Sequence, residues 1–327
     1  MQGLDIKIKN RINELLENGT VDAVIGWEKG QFIYDTTPAV FTKETGLDNF
    51  CYNNFCGANL SKYLVSRMAS GKKFAVLAKP CDTYSLNQLL TEHRIKRENV
   101  YIIGIGCDGH LDIEKIKAQG ISGVESVEDI DDNNINIKSI YGDKKVEKAS
   151  VLLSKCQCCK GNEHKIYDEL IGEELQTPTA DDRFDMVKQL EAMTAEERYN
   201  FWKGELSRCI RCNACRNVCP ACTCRQCVFD NARSGIAAKA NASETEEKMF
   251  HIIRAFHVAA RCTDCGECSR VCPENIPLHL LNRKFIKDIN EFYGEYQAGE
   301  VQDQRNPLVN FKDEDIEPTT ISDREGK

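Results

Sequence analysis

The sequence predicts an α/β N-terminal domain with a parallel-sheet core, followed by a mostly α-helical domain that is rich in cysteine. In the first half, two wholly apolar segments, at 74–78 and 100–105, are separated by a helical stretch. That pattern is typical of buried parallel strands joined by a crossover helix. In the second half, the run C-x2-C-x2-C-x3-C-P occurs twice, at 209–220 and 262–273. The segment between the two runs has helical periodicity, so this part is predicted to be helical.

Composition and charge divide the 327 residues into three parts. We predict an α/β domain over 1–180, a helical domain over 181–290 and an acidic tail over 291–327 that is disordered or bound to a partner. The net charge of −8 argues against nucleic acid as a partner. No apolar run approaches the roughly 20 residues of a membrane span, and the N-terminus lacks a signal-peptide core. We therefore expect a soluble, cytoplasmic protein with no membrane insertion.

The repeated cysteine run has the spacing with which bacterial ferredoxins bind a [4Fe–4S] cluster. Eighteen cysteines without a secretion signal indicate metal binding rather than disulfides, and this many thiolates suit an anaerobe. In two-cluster ferredoxins the fourth cysteine of each run ligates the other cluster. One cluster is therefore assigned to Cys209, Cys212, Cys215 and Cys272, and the second to Cys262, Cys265, Cys268 and Cys219. Structural zinc is the alternative for CxxC pairs, but it does not explain the repeated triplet and proline.

Three further cysteines follow the first run. Cys222, Cys224 and Cys227 either hold part of another metal site or lie as additional sulfurs around the ferredoxin domain. The helix predicted over 244–260 separates the two runs. Its apolar face is predicted to include Met249, Phe250, Ile253, Phe256 and His257, and both His251 and His257 are interpreted as packing residues rather than ligands.

Cys81 and Cys107 each follow one of the two apolar strands, at the sheet edge where ligands bind in parallel sheets. A hairpin predicted over 134–153 then leads to the pair Cys156 and Cys159. The glycines at 104, 106 and 109 form a GxGxxG pattern. Because Asp108 within it would repel a pyrophosphate, we do not interpret this pattern as a dinucleotide site.

Four segments of the N-terminal half resemble the beta-subunit family of coenzyme F420 (deazaflavin)-reducing hydrogenases and formate dehydrogenases. They are VDAV at 21–24, KPCD at 79–82, IGIGC at 103–107 and CQCC at 156–159. The run from Cys209 to Cys227 is similar to the segment that follows this domain in the formate dehydrogenases. The long helix between the runs resembles the helical ferredoxin domains of succinate dehydrogenase and heterodisulfide reductase iron–sulfur subunits.

The resemblance implies a third [4Fe–4S] cluster and a flavin. The family has cysteines at the four positions Cys81, Cys107, Cys156 and Cys159, which we predict to be the ligands, with buried thiols as the alternative. Cys158 is predicted to point away, Cys56 is the substitute ligand, and Cys51 is predicted to be a free buried thiol. The family's FAD is accompanied by a Trp-containing segment. Here the corresponding stretch, 167–174, is shorter, acidic and without Trp, so we predict weak FAD binding or none.

Three functions remain open from the sequence. The first is an iron–sulfur electron-transfer subunit of a formate dehydrogenase, hydrogenase or heterodisulfide-reductase-like complex. Its partners would be a catalytic dehydrogenase or hydrogenase, or a flavin-containing electron-bifurcating subunit. The second is an FAD-containing subunit that itself oxidises or reduces a deazaflavin or nicotinamide coenzyme. The third is a zinc-ribbon-like interaction protein. The ferredoxin runs favour the first.

Overall fold

The structure is a computed structural model that describes residues 3–161, 163–175, 182–231, 233 and 244–310. The predicted boundary between residues 180 and 181 lies outside the described residues, as does the last part of the predicted tail, 311–327. The elements of the first half, in chain order, are α1 (Leu4–Glu17), β1 (Ala23–Lys29), β2 (Thr36–Phe41), β3 (Phe50–Cys51), α2 (Lys62–Val65), β4 (Phe74–Ala78), α3 (Pro80–Thr91), β5 (Val100–Ile105), α4 (Ile113–Ala118), β6 (Val124–Asp129), β7 (Asn134–Ser139), β8 (Lys144–Glu147), α5 (Lys148–Val151), α6 (Ser154–Gln157) and β9 (Glu169–Ile171). Those of the second half are α7 (Asp185–Ala192), α8 (Ala195–Ser207), α9 (Ala214–Asn217), α10 (Glu244–His257), α11 (Glu267–Arg270) and α12 (His279–Tyr293).

The first half is built on a six-stranded mixed sheet with the order β2-β1-β4-β5-β9, in which β3 also pairs with β1. Strands β1, β4, β5 and β9 are parallel, and β2 and β3 are antiparallel to β1. The apolar strands β4 and β5 are adjacent, with Ala78 opposite Gly104. Both strands therefore end at the same edge, which is the arrangement that the sequence predicted for the segments carrying Cys81 and Cys107.

A smaller antiparallel sheet, β6-β7-β8, follows. The predicted hairpin is present, but its second strand ends at Glu147, and β6 adds a third strand. The chain then forms the short helices α5 and α6. Helix α6 contains Cys156, which is buried.

The second half is helical, which confirms the predicted fold class. Helix α8 begins with a capping box, in which Thr194 and Glu197 each accept a hydrogen bond from the other's backbone N–H. Helices α8 and α12 both contact α10. The two halves are joined by buried contacts: Ser85 Oγ lies 2.8 Å from Thr263 Oγ1, and Lys155 pairs with Glu267.

The chain after α12 packs onto the N-terminal half. Helix α12 runs through the predicted boundary at 290/291 and ends at Tyr293. Asn87 donates from Nδ2 to the Gly299 carbonyl oxygen at 3.1 Å. Gly299 has φ +77°, and a Cβ there would overlap the Tyr84 backbone, so only glycine fits this approach. In the described residues the start of the predicted tail is thus an ordered strap across α3.

Candidate iron–sulfur sites

The two cysteine runs adopt the same backbone. In each run the residue before the second cysteine and the residue after it are left-handed: Arg211 and Asn213 in the first, Asp264 and Gly266 in the second. Three of these are not glycine and so carry a conformational cost. Strain of this kind, repeated at matched positions, is typical of a loop shaped around a bound group. Asn213 and Gly266 each precede a short helix that carries the third cysteine of its run.

The first predicted ligand set surrounds one small cavity. Its lining includes all four assigned cysteines, three from the first run and one from the second: Cys209, Cys212, Cys215 and Cys272. Cys212 is exposed, whereas Cys215 is buried. Burial, followed by the neighbouring Cys268, Cys272 and Cys212 thiols, raises the pKa of Cys215 to about 11 against the opposing effect of Arg254. This is the crossed arrangement that the two-cluster spacing predicts.

The second predicted set is also gathered across the runs. Burial, followed by Glu267 and the Cys219 thiol of the first run, raises the pKa of the Cys265 thiol to about 12. Cys219 also raises the pKa of Cys262 and Cys268, so it lies near all three. Protonated thiols are the stable form of such buried groups without metal, and a metal that replaces the protons offsets the cost of their charge.

A buried ion pair holds each loop at its left-handed residue. Arg211 donates from Nε to both carboxylate oxygens of Glu247 on α10, each at 3.1 Å. Asp264 pairs with Arg283 on α12 at 3.0 Å. Burial raises the pKa of the Asp264 carboxyl, but Arg283, Lys160 and Arg183 together outweigh burial and hold it below its ordinary value.

Arg254 is the best test of whether an anionic cluster fits this part of the protein. Its side chain is 2% exposed, and none of its guanidinium nitrogens bonds to oxygen or nitrogen within the described residues. The thiols of Cys268, Cys215 and Cys219 are the charges that act on it most strongly. A buried, unpaired cation is costly unless an anion compensates it. Thiolate-ligated clusters at both sets would supply that anion.

The third predicted set also lines one cavity, at the carboxyl edge of β4 and β5. Cys81 and Cys107 approach from the sheet, and Cys156 and Cys159 from α6 and the turn after it. Burial raises the pKa of the Cys81, Cys107 and Cys156 thiols above their ordinary value. The same cavity is lined by Cys265 of the second set, so the second and third sets are immediate neighbours.

Three lysines around this cavity provide positive charge. Lys79 is buried and pairs with Asp82 at 2.8 Å, and its ammonium lies 4.5 Å from the centre of the Trp27 ring. Lys155 pairs with Glu267, and Lys160 lies 4.1 Å from the centre of the Tyr84 ring. The Lys160 Nζ has no hydrogen-bond partner among the described residues. These contacts fit an anionic group held by the four thiolates.

The remaining cysteines of the first half lie elsewhere in the described structure. Cys56 is fully buried, and its sulfur accepts a hydrogen bond from the Asn53 backbone N–H at 3.3 Å. Cys51 is half-buried beside it. Cys158 lies near Arg283 and is not among the residues that line the third cavity.

The edge beside Gly106 is occupied by the chain itself. The Glu173 carbonyl leaves no room for a Cβ at Gly106, and the Glu174 carboxylate lies 2.8 Å from Nδ1 of the buried His164. The predicted acidic stretch thus fills the position where the GxGxxG pattern would hold a phosphate. The residues here do not form a cradle for the pyrophosphate of FAD or a dinucleotide.

His251, which the sequence pattern predicts to be a packing residue, also contacts a predicted ligand. Its Nε2 lies 3.2 Å from Cys209 Sγ, and burial lowers its pKa to about 3, so the ring is neutral. Among the described residues, Cys209, Glu247 and His251 form the one group that brings three potential metal-ligand atoms within 4.8 Å of one another. Glu247 is committed to Arg211, so we interpret the histidine as a hydrogen-bond donor to a cluster-ligating sulfur. Glu247, His251 and Arg254 are four and three residues apart, which places them on one face of a helix. This spacing was the sequence signal that could have identified the face of α10 that contacts the cysteines.

Comparisons with known proteins match this chain to a cluster-binding domain family, to two subunits and to a chain of a solved complex. Residues 205–276 match the 4Fe–4S dicluster domain family. The beta subunit of an F420-dependent formate dehydrogenase from Methanocaldococcus jannaschii is 26% identical over 91% of this chain and 92% of its own length. A corresponding subunit from Methanococcus maripaludis is 24% identical over 90% of both chains. A chain of the F420-reducing [NiFe] hydrogenase complex from Methanosarcina barkeri aligns with a TM-score of 0.38 and 16% identity, over 48% of this chain and 60% of that one.

Proposed function

Because this chain is a relative of the beta subunits of F420-dependent formate dehydrogenases, we propose that it is an iron–sulfur electron-transfer subunit of a multi-subunit oxidoreductase complex. The dicluster match and the crossed cysteine sets support this function. Bound [4Fe–4S] clusters would supply one-electron chemistry, and the chain's own residues hold them, exclude water from them and balance their charge.

The single observation that carries the proposal is the contiguity of the three sets. Cys265 of the second set lines the cavity of the third. Cys268 of the second set acts electrostatically on Cys215 of the first, and the exposed Cys212 lies at the outer end. The sets therefore form a row from the sheet edge to the surface of the helical half. Such a row suits electrons that enter at one end and leave at the other.

The proposal assigns three clusters. The first is held by Cys209, Cys212, Cys215 and Cys272, the second by Cys262, Cys265, Cys268 and Cys219, and the third by Cys81, Cys107, Cys156 and Cys159. Together they need about 12 iron per chain. We expect full-length protein isolated without oxygen to be brown and to lose about four iron when the four cysteines of the third set become serine. Cys51→Ser, which changes a cysteine outside all three sets, should leave the iron unchanged.

Two results would contradict this proposal at different levels. Unchanged iron in the quadruple serine variant would remove the third site and leave the two ferredoxin sites. A colourless protein that contains zinc instead of iron would remove the electron-transfer function itself.

The second candidate function, an FAD-containing subunit that acts on a deazaflavin or nicotinamide, is suggested by the names of the relatives. Because Glu173 and Glu174 fill the edge at Gly106, we expect purified protein to release no stoichiometric FAD on acid precipitation. One FAD per chain would favour this second function. It would direct attention to the cavity of about 520 Å³ lined by Lys115, Lys155 and Arg270.

We also propose that the partners are the other subunits of an anaerobic redox complex. They would be a catalytic dehydrogenase or hydrogenase, or a flavin-containing electron-bifurcating subunit like that of heterodisulfide reductase complexes. The relatives are themselves named as subunits. No helix among the described residues is long and apolar enough to span a membrane. Purification of the native complex from the cytoplasmic fraction, followed by identification of its subunits, tests the partners and the location together.

A further inference from the structure

Three cysteines of the second half remain outside the three proposed sites. Cys222, Cys224 and Cys227 directly follow the first run, and all three line one cavity of about 810 Å³ between that segment and α10. Cys222 and Cys227 are half-buried and Cys224 is exposed. The spacing of these cysteines is C-x-C-x2-C. The segment from Ala221 to Cys227 is an irregular loop that forms one side of the cavity.

We propose that Cys222, Cys224 and Cys227 bind a fourth [4Fe–4S] cluster, whose remaining iron faces the cavity. Three thiolates then hold three irons, and the fourth iron has a coordination position open to a small ligand. The proposal goes beyond the electron-transfer function, because a cluster with an open position can bind a ligand as well as carry an electron.

The charges around the cavity fit an anionic group. Two of its cations are already neutralised: Arg216 pairs with Asp230 at 2.8 Å, and Arg261 pairs with Glu92 at 2.6 Å. Lys62 donates from Nζ to the Cys222 carbonyl oxygen and makes no ion pair within the described residues. Arg254, whose guanidinium is also acted on by the thiols of the first two sets, lines the cavity as well. Lys62, Arg254 and the exposed Arg225 are thus the lining cations outside these two ion pairs, and they can offset thiolate and sulfide charge.

The sulfur positions favour a cluster over a single zinc ion. Zinc binds thiolates at about 2.3 Å, which brings its ligand sulfurs within about 4 Å of one another. The sulfurs of Cys222, Cys224 and Cys227 are not gathered within 4.8 Å, and neither are those of the two ferredoxin sets in the described structure. Thiolates that bind different irons of one cubane lie farther apart than the ligands of one zinc ion. The three sulfurs are therefore not already gathered in the way that a single zinc ion requires.

The test compares two variants of the full-length protein, isolated without oxygen. One changes Cys222, Cys224 and Cys227 together to serine, and the matched control is Cys51→Ser. Iron, acid-labile sulfide and zinc are measured for each. We expect about 16 iron in the wild type and the control and about 12 in the triple variant, with a parallel loss of sulfide. Iron that is the same in both variants, or loss of zinc alone, would overturn the proposal.

The single variant Cys224→Ser covers the case in which the triple variant fails to fold, because this side chain is exposed. Its electron paramagnetic resonance spectrum after reduction should lack one cluster signal. The open iron adds a second readout, since cyanide should change that same signal in the wild type and in Cys51→Ser. A wild-type spectrum that is insensitive to cyanide would overturn the open position. A Cys224→Ser spectrum identical to the wild type would overturn the cluster.

Discussion

The two ferredoxin loops have the same backbone but opposite anchoring charges. At the matched left-handed position the first loop has Arg211, which pairs with Glu247 on α10, and the second has Asp264, which pairs with Arg283 on α12. Cysteine spacing and left-handed backbone are thus common to both loops, whereas the sign of the anchoring charge differs. The comparison indicates that each loop requires a buried partner on a long helix rather than a particular residue.

The loops also differ in their surroundings. The first contains the exposed Cys212 and lies at the outer end of the row of sites, while the second is enclosed between the two halves of the protein. Asp264 and Cys265 of the second loop both line the cavity of the third site. We therefore expect changes in the second loop to affect the neighbouring sites more than changes in the first.

The crossed ligation gives the largest expected effect. Cys219→Ser should remove the cluster of the second loop, and Cys272→Ser should remove the cluster of the first, each with a loss of about four iron. Paramagnetic resonance of the two variants distinguishes the signals, because each variant retains what the other loses. The assignment fails if Cys219→Ser instead removes the signal that depends on Cys209.

The anchoring ion pairs give the next largest effect. Asp264→Asn should lower the free energy of unfolding by about 3–5 kcal/mol, because it leaves the buried Arg283 without its charge partner. Glu247→Gln should cost less, about 1–3 kcal/mol. The Arg211 guanidinium lies 4.2 Å from the centre of the Phe250 ring and keeps that contact.

Anaerobic denaturant titrations of the two variants measure this difference. Glu205→Gln is a matched control, because its ion pair with Arg208 lies at the surface of α8 and contributes little. An Asp264→Asn variant as stable as this control would show that the buried pair does not hold the second loop.

Much of this arrangement could be predicted from local patterns. Spacing alone predicted which four cysteines line the first cavity, and two apolar runs predicted the adjacent strands β4 and β5. The apolar face predicted for α10 is buried only in part: Phe250 is buried, but Met249 and Phe256 are 46% and 62% exposed, and the charged Glu247 and Arg254 are buried instead. An apolar pattern predicts burial against an apolar core, but this helix packs on thiolate sites and buries its charged residues. The strap after α12 was also missed, because it depends on a close contact between Gly299 and the Tyr84 backbone rather than on periodicity.

The smallest expected effect concerns the hydrogen bond from His251 to the first loop. If Cys209 binds iron as proposed, its sulfur can only accept, so Nε2–H of the neutral ring donates to Cys209 Sγ. Hydrogen bonds to the sulfurs stabilise the reduced, more negative state of a cluster and so raise its reduction potential. If the bond contributes about 1 kcal/mol, His251→Leu should lower the potential of the first cluster by about 40 mV.

A redox titration followed by paramagnetic resonance measures this shift, with the clusters of both loops observed in the same sample. His257→Leu is the matched control, because His257 is on the same helix but lines the cavity beside Cys227 rather than contacting Cys209. The shift should be confined to the cluster of the first loop, since no hydrogen bond joins His251 to a sulfur of the second loop within the described residues. Equal shifts in both clusters would mean that the substitution acts through general packing of α10, and the specific role of the histidine would then be wrong.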